Sequence, residues 1–418
     1  MSDVRRIFAI QAVRAFLYGF SSILIGASLA ATGLDAGSVG LVFTAMLLGM
    51  AISSLAVGRW GEAIGRRRSY ASLLVLMGIA GTVFAITGSV PLLVIAALTG
   101  TLSTDPNESG PITTVEQAML ASAPPAERSR VYGRYNAVAY LAGAAGALAA
   151  GGPSAMRDLL PGVPPDQRWI LIMPIGAALC VVLATRLSDR VEVEAGLVSG
   201  ARGLQRSHGV VRRLAALFSL DAFAGGFIVQ TFIVFWFGRE FGADAELMGL
   251  VFFGVGILQA GSSVAAGWLG ARVGLLNTMV FSHLPSNVLL ALVPLAPTLL
   301  VAVLLLLGRS ALSQMDVPAR QAYVAALVDP AERTAAAGYT NAARHLVRPA
   351  GPALASLSMG MAAGLPFLVA GGLKIAYDVA LYLTFRRVEL VKEDPEPRGM
   401  EKDGPSSDRH TLVQMMRA

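Results

Sequence analysis

The stretch Gly58-Arg-Trp-Gly-Glu-Ala-Ile-Gly65-Arg-Arg-Arg68 forms a short cationic link between two long apolar segments. A related stretch, Gly267-Trp-Leu-Gly-Ala-Arg-Val-Gly274, lies between two apolar segments in the second half of the chain. Glycine permits tight turns and a close approach of helices. A turn that recurs in two hydrophobic halves indicates a duplicated membrane protein.

The composition supports a membrane protein. Of the 418 residues, 55% are hydrophobic and only 14% are charged, and the mean hydropathy is +0.62. Soluble domains carry about 25% charged residues. The net charge of +6 comes with basic residues in short loops, which is typical of cytoplasmic loops. We therefore expect the lipid bilayer, and no nucleic acid, as a partner.

Apolar runs of roughly 20 residues are long enough to cross a bilayer. The sequence predicts twelve such helices, at residues 7–32, 36–57, 69–88, 90–122, 131–150, 168–186, 214–238, 246–266, 277–294, 298–327, 336–360 and 365–386. Basic residues such as Arg66, Arg128, Arg272 and Arg386 fall in loops on one side. By the positive-inside rule, both termini are expected to be cytoplasmic in a multi-pass protein of the cell (inner) membrane.

The two halves form a direct repeat. Gly40-Leu-Val-Phe43 recurs as Gly249-Leu-Val-Phe252, 209 positions later, and Pro125-Ala-Glu-Arg128 recurs as Pro330-Ala-Glu-Arg333, 205 positions later. The repeat predicts an N-terminal six-helix bundle and a C-terminal one, followed by a disordered cytoplasmic tail rich in charge and proline. The predicted boundaries are 1–186 for the first bundle, 187–213 for a cytoplasmic linker, 214–387 for the second bundle and 388–418 for the tail.

The first loop, with Gly58, Glu62, Gly65 and Arg66, resembles the signature loop of the major facilitator superfamily, and the resemblance covers nearly the whole chain outside the tail. It implies an all-α membrane protein, a monomer, with twelve transmembrane helices in two pseudo-symmetric six-helix bundles. Such bundles rock around a central cavity. By resemblance, Glu62 and Arg66 latch an inner gate to neighbouring helix ends. The gate residues are Gly58, Glu62, Gly65, Arg66, Gly267 and Gly274.

Charged residues within membrane helices are costly and suggest function. Arg14 in helix 1 and Asp221 in helix 7 occupy equivalent repeat positions, Arg14-Ala-Phe and Asp221-Ala-Phe. One hypothesis is an ion pair across the cavity that forms or breaks as the bundles rock, with Asp221 as a proton carrier. The alternative is a permanent pair that neutralises two buried charges.

Predicted helix 4 contains Thr101-Leu-Ser-Thr-Asp105-Pro-Asn-Glu108-Ser-Gly-Pro111, with Glu116 further on. Proline, glycine and two acids do not fit an unbroken helix that faces lipid. Broken helices are tolerated where the backbone lines a cavity, and they mark binding sites in transporters. We favour such a break. The alternative is that this stretch is the extracellular loop and that helix 4 begins after Pro111.

The second half carries a basic stripe. In helix 10, Arg309, Asp316 and Arg320 share one helix face, and helix 11 adds Asn341, Arg344 and Arg348. Either these charges pair with the acidic wall of the first half, or they bind an anionic or zwitterionic metabolite or serve a proton-coupled cycle. The candidate residues of the substrate or proton pathway are Arg14, Asp105, Glu108, Glu116, Asp221, Arg309, Asp316, Arg320, Asn341, Arg344 and Arg348.

Two further polar positions have structural interpretations. Lys374 and Asp378 lie at positions i and i+4 of helix 12, a spacing that favours a mutual ion pair. His283 lies in helix 9, which the resemblance places outside the cavity, so we expect it to pack.

The sequence contains no nucleotide-binding phosphate loop, no His-Glu-x-x-His zinc motif and no Gly-x-Ser-x-Gly nucleophile motif. The chain is therefore not expected to be an enzyme or to hold a metal or a cofactor, and a proton gradient is the expected energy source. We expect a secondary active transporter that exports a small molecule in exchange for protons, in an efflux-like subgroup. The alternatives are proton-linked uptake of an organic anion or zwitterion and, more remotely, a non-transporting membrane sensor.

Overall fold

The computed structural model describes residues 3–105, 110–120, 125–160, 162–192, 206–328 and 332–388, and these residues form helices and connecting turns without a β-strand. The α-helices are α1 (Asp3–Ala31), α2 (Ala36–Ile64), α3 (Arg66–Ile86), α4 (Val90–Ala97), α5 (Pro111–Leu120), α6 (Pro125–Ala149), α7 (Gly152–Leu159), α8 (Ile172–Thr185), α9 (His208–Gly226), α10 (Gln230–Phe241), α11 (Ala245–Val273), α12 (Leu275–Leu292), α13 (Leu299–Ser313), α14 (Asp316–Leu327), α15 (Arg333–Val347), α16 (Ala350–Met361) and α17 (Leu365–Phe385). The predicted Glu108 and almost all of the predicted tail lie outside the described residues.

Nine segments of the described chain are long and apolar enough to cross a membrane. They are Asp3–Ala31, Ala36–Gly61, Arg66–Ile86, Asp166–Thr185, His208–Phe241, Ala245–Val273, Leu275–Leu295, Leu299–Val324 and Leu365–Phe385. The other three predicted spans correspond to α4 with α5, to α6, and to α15 with α16. The prediction of a twelve-helix membrane protein with two pseudo-symmetric six-helix bundles is confirmed.

The repeat is visible in how equivalent helices begin and end. Asp35 and Asp244, 209 positions apart, cap α2 and α11. Each carboxylate accepts a hydrogen bond from the backbone N–H of the third residue of its helix, Ser38 at 3.0 Å and Leu247 at 2.8 Å. The Ser38 hydroxyl and N–H groups also lower the pKa of the Asp35 carboxyl group. The same two helices end at Gly65 and Gly274, with φ of +96° and +88°. Only a residue without a Cβ adopts such φ values readily, which explains the glycine that closes each copy of the opening motif.

Four predicted helices are interrupted. The break in helix 4 is confirmed and is wider than predicted, since α4 ends at Ala97 and α5 begins at Pro111. Breaks in helices 7, 10 and 11 were not predicted; they separate α9 from α10, α13 from α14, and α15 from α16. Pro318 and Pro349 lack the N–H that would bond back to the preceding turn, which accounts for two of these breaks. The third follows Gly225 and Gly226, residues of low helix propensity.

The two bundles meet along one half of the molecule. We call the end that carries Asp3 and Phe385 the terminal face, and the end where α2 and α11 begin the opposite face. Near the opposite face, a Cβ on Gly249 of α11 would lie 2.5 Å from the carbonyl oxygen of Ala147 on α6. At the equivalent place, a Cβ on Gly40 of α2 would overlap the side chain of Ser356 on α16 and would lie 3.0 Å from the carbonyl oxygen of Pro352. Close packing between the bundles therefore seals the opposite half.

The positive φ values generate a test of the repeat. Gly65→Ala and Gly274→Ala should each destabilise the protein by about 1–3 kcal/mol, because a side chain strains this backbone conformation. Thermal unfolding of the purified protein in detergent measures the loss. Gly58→Ala is the matched control, because Gly58 lies within α2 and a Cβ there would meet no atom within 4 Å. An unfolding temperature that stays the same in both test variants would contradict this account of the turns.

Candidate functional site

The first cluster of buried charges lies within the N-terminal bundle and is centred on Glu116 of α5. Arg14 of α1 approaches Glu116 to 2.5 Å, and Tyr70 of α3 donates a hydrogen bond to the same carboxylate at 2.6 Å. Tyr135 of α6 donates a further hydrogen bond to Glu116, and Gln11 accepts one from Arg14. Arg14 and Glu116 are at most 2% exposed, so this N-terminal cluster is a buried, charge-neutral polar core that joins four helices, in which the Nε atom of Arg14 has no hydrogen-bond partner among the described residues.

The second cluster lies within the C-terminal bundle and is centred on Asp221 of α9. Lys374 of α17 donates to Asp221 at 2.5 Å, and Arg320 of α14 lies 3.4 Å from its other carboxylate oxygen. Arg320 also pairs with Asp316, one turn earlier in α14, at 3.2 Å. All four side chains are buried. Asp221 therefore neutralises cations that come from two neighbouring helices.

The C-terminal cluster continues into a pair on helices 9 and 12. His283 Nδ1 of α12 lies 2.8 Å from Asp378 of α17, and the side-chain amide of Asn287 donates to the other oxygen of Asp378 at 2.9 Å. His283 Nε2 lies 4.0 Å from Asp221. A continuous set of polar side chains thus runs from Asp316 through the bundle to Asn287.

The Arg14–Asp221 pair is absent from this conformation, and two other expectations are wrong. Arg14 does not meet Asp221, because each is neutralised by partners in its own bundle. Lys374 and Asp378 do not pair with each other, because each faces a closer partner on a neighbouring helix. His283 does more than pack, since it bonds to Asp378. The spacing of charges along one helix carried no information about these contacts between helices.

One ion pair joins the two bundles at the helix breaks. Asp105, in the break of helix 4, lies 2.9 Å from Arg348, in the break of helix 11. The second oxygen of Asp105 accepts a hydrogen bond at 2.9 Å from the N–H of Gln230, the first residue of α10. The carbonyl of Thr104 accepts bonds from the N–H and the hydroxyl of Thr231, at 3.2 and 2.9 Å. Residues of the N-terminal bundle therefore cap a helix of the C-terminal bundle.

Two predicted arginines have no partner in the part of the chain that the structure describes. Arg309 of α13 and Arg344 of α15 make no side-chain hydrogen bond or ion pair with a described residue, and the Nε atom of each is buried and unbonded. Both side chains are half-buried. Of the remaining predicted residues, Asn341 is exposed on α15, and Glu108 lies outside the described residues.

The predicted gate is tied to its own bundle. The backbone N–H groups of Arg66 and Arg67 donate to the carboxylate of Glu192 at 2.7 and 3.1 Å. The Arg66 side chain donates to the carbonyl of Ala118 near the end of α5, at 3.2 Å. A contact of Arg66 with a neighbouring helix end agrees with the prediction, although the side chain of Glu62 lies outside the described residues. The role of Glu192 was missed, because it lies in the predicted linker, where a lone acid carries no signal.

Tyr70, Tyr135 and Gln230 were also missed. Aromatic residues in membrane helices usually pack or face lipid, so neither tyrosine stands out in the sequence. Gln230 contributes its backbone N–H to Asp105 and its side chain to Ser22, at 2.9 Å each. The feature of the sequence that could have pointed to Gln230 is its position shortly after Gly225 and Gly226, where the helix is interrupted.

The N-terminal cluster generates a test. Glu116→Gln leaves Arg14 as a buried charge without a counter-ion, so we expect a loss of about 3–5 kcal/mol in stability. Arg14→Met combined with Glu116→Gln should recover part of that loss, because both charges are then removed. Thermal unfolding of the three proteins in detergent measures the coupling. If the double variant is no more stable than Glu116→Gln, the two residues do not act as a pair.

Comparison with known proteins places this architecture in a family. The model of the Major Facilitator Superfamily matches residues 7–237 and 214–414, which together span most of the chain. An uncharacterized membrane protein of Saccharomyces cerevisiae, YJR124C, is 24% identical over 427 residues, covering 93% of this chain and 95% of the yeast protein.

Solved transporters share the fold. The structure of the nucleoside transporter NupG superposes with a TM-score of 0.70 at 14% identity, covering 92% of this chain and 100% of that one. The D-xylose-proton symporter gives a TM-score of 0.72 at 16% identity, covering 91% and 98%. With two repeated bundles, interrupted helices and a family model that spans both halves, the chain belongs to the Major Facilitator Superfamily and is a membrane transporter rather than an enzyme.

Proposed function

We propose that this transporter is proton-coupled and carries a small anionic or zwitterionic solute by alternating access, with the Asp105–Arg348 pair as the coupling element. The observation that carries the proposal is this ion pair at 2.9 Å between the bundles. It lies where three interrupted helices meet, and its side chains remain 29% and 24% exposed. Interrupted helices near the midplane are where transporters of this kind bind solutes and coupling ions.

The pair links proton binding to anion binding. Opposite charges about 4 Å apart interact by roughly 4 kcal/mol at an effective dielectric constant of 20. An anionic solute that approaches Arg348 must therefore compete with the Asp105 carboxylate. Protonation of Asp105 removes the competing charge, so a proton and an anion should bind cooperatively. Binding of both together is the requirement for symport, and this argument favours proton-linked uptake.

The closed half of the molecule fits an alternating-access cycle. The glycine contacts of Gly40 and Gly249 seal the opposite half. If the termini are cytoplasmic, as the basic loops predict, the sealed half is extracellular and the conformation is inward-facing. In that conformation, from which solute would be released to the cytoplasm, the Asp105 carboxylate is paired with Arg348. An internal carboxylate that replaces the solute would promote that release.

Proton-coupled export in an efflux-like subgroup is the second candidate. It is supported by the first loop, from Gly58 to Arg66, which resembles that of exporters. An antiporter would load solute from the cytoplasm and release it on protonation from outside. A non-transporting sensor is disfavoured by the polar residues at the bundle junction. The likeness to a D-xylose-proton symporter is compatible with proton coupling in either direction.

The remaining features of the proposal follow from the sequence and the family. We place the protein in the cell (inner) membrane as a monomer with both termini cytoplasmic. The first bundle ends at residue 186 and the second begins at residue 214. The proton gradient supplies the energy, and no metal or cofactor is required. The gate contacts of Arg66 and Arg67 would hold the first bundle rigid as it rocks.

Transport in proteoliposomes tests the direction of coupling. Vesicles that contain a pH-sensitive dye are exposed to a panel of carboxylates, amino acids and sugars. Symport predicts that an added anion acidifies the lumen, because protons enter with it. Export by antiport predicts that the lumen becomes more alkaline as solute enters, because protons leave. Solute movement that leaves the luminal pH unchanged would reject proton coupling.

A variant of Asp105 tests the coupling element. Asn at position 105 retains an acceptor for the N–H of Gln230 but cannot carry a proton, so Asp105→Asn should make solute uptake nearly independent of pH. Asp221→Asn is the matched comparison, because Asp221 was the carrier expected from the sequence. If Asp221→Asn abolishes the pH dependence and Asp105→Asn preserves it, the carrier is Asp221 and the proposed role of Asp105 is wrong.

A further inference from the structure

We propose that α7 lies in the surface of the bilayer on the opposite face and inserts the side chains of Met156, Leu159 and Leu160 among the lipids. The helix, Gly152–Leu159, has eight residues. It is therefore about 12 Å long, too short to cross a hydrocarbon core of about 30 Å. This interaction with lipid is independent of the solute and of proton coupling, and it can be measured without transport.

The apolar side chains of α7 point away from the protein, whereas its arginine bonds to the protein. Met156, Leu159 and Leu160 are 39%, 80% and 55% exposed. Met156 and Leu159 are three positions apart and share one side of the helix, and Leu160 follows directly. The Arg157 side chain instead pairs with Asp166, at the start of the next span, at 2.6 Å. Apolar surface is unfavourable in water, so this arrangement favours an apolar surrounding for the outer side of α7.

The neighbours of α7 place it at the level of the lipid headgroups. α6 has 25 residues and is about 37 Å long, enough to cross the hydrocarbon core before α7 begins. The next apolar span begins at Asp166, so α7 lies between two span ends. Trp169, whose ring N–H donates to the carbonyl of Pro164 at 3.3 Å, lies at the start of that span. Tryptophan is enriched at the membrane–water boundary, and an ion pair such as that of Arg157 is costly at greater depth.

Lipid is the partner that fits this surface. The adjoining span, Asp166–Thr185, exposes 71% of Ile175 and 51% of Leu179, and the apolar surface of a membrane span faces lipid. Leu159 and Leu160 lie in the connection that leads into this span, so they continue its apolar surface to the membrane boundary. A stable protein interface buries about 800 Å² on each partner, from about 20–30 residues, and three side chains fall far short of that. Amphipathic helices in the membrane surface bury their apolar side about 5–10 Å deep, where headgroups meet acyl chains.

α7 also lies beside the contact between the bundles. A Cβ on Gly151, the residue before α7, would lie 2.9 Å from the Cα atom of Glu246, the second residue of α11. The second half has no helix in its corresponding connection, the described residues 362–364, because α16 ends at Met361 and α17 begins at Leu365. A helix held in the bilayer surface therefore fixes the height of the sealed half against the lipid on one side of the molecule.

Quenching of a fluorescent label tests the position of α7. Cys180 is the single cysteine of the chain and is buried, so a bimane label reacts selectively with the cysteine introduced by Leu159→Cys or Leu160→Cys. The labelled full-length protein is reconstituted in phosphatidylcholine vesicles whose lipid carries a nitroxide near either the headgroup end or the methyl end of the acyl chain. We expect both labels to lose most of their fluorescence with the headgroup-end nitroxide. They should respond little to the methyl-end nitroxide or to iodide in the water.

Two matched variants calibrate the measurement. Ile175→Cys, within the span that follows α7, should be quenched most by the methyl-end nitroxide. Glu240→Cys, at an exposed position near the end of α10 on the same face, should be quenched by iodide.

Three results would overturn the proposal. Labels at positions 159 and 160 that respond to iodide as Glu240→Cys does would place α7 in water. Labels that respond as Ile175→Cys does would place it in the hydrocarbon core. Labels that no quencher reaches would be covered by protein, from a second copy or another chain. Because neither solute nor a proton gradient is present, the result stands apart from the proposed transport function.

Discussion

A break in a membrane helix leaves backbone N–H and C=O groups that the lipid cannot satisfy, so the protein itself must supply their partners. In this transporter some of those partners come from the other bundle. The broken segment of helix 4 supplies the Asp105 carboxylate and the Thr104 carbonyl to the first N–H groups of α10. A helix terminus in one half of the protein is thus completed by residues of the other half. The relative position of the two bundles and the hydrogen bonding of the break in helix 4 therefore depend on each other.

The two bundles treat buried charge differently. In the cluster of the N-terminal bundle, one arginine and two tyrosines all bond to one glutamate of the same bundle. The C-terminal bundle spreads its charges over four helices and leaves Arg309 and Arg344 unbonded among the described residues. The backbones differ as well, since one predicted helix of the N-terminal half is interrupted and three predicted helices of the C-terminal half are.

Much of the fold was readable from the sequence, because hydrophobic length and the repeat are properties of the chain itself. The caps at Asp35 and Asp244 and the glycines at 65 and 274 follow from local backbone chemistry. Predictions of side-chain partners fared worse. Lys374 and Asp378 satisfy the spacing rule for a helical pair, yet buried charges select the strongest available partner in three dimensions. Pro349 marks the break that contains Arg348, but nothing in the sequence shows that Asp105 will meet that arginine.

The glycine contacts between the bundles have a consequence for motion. Gly40 with Pro352 and Gly249 with Ala147 are equivalent under the repeat, so the two contacts lie on either side of the pseudo-twofold axis. When one rigid bundle tilts against the other about a line that crosses this axis, both contacts separate in the same movement. The contact of Gly249 is with backbone atoms of α6, whereas the contact of Gly40 also involves the side chain of Ser356. The two sides of this seam are therefore linked by the pseudo-symmetry, and a tilt that opens one side also opens the other.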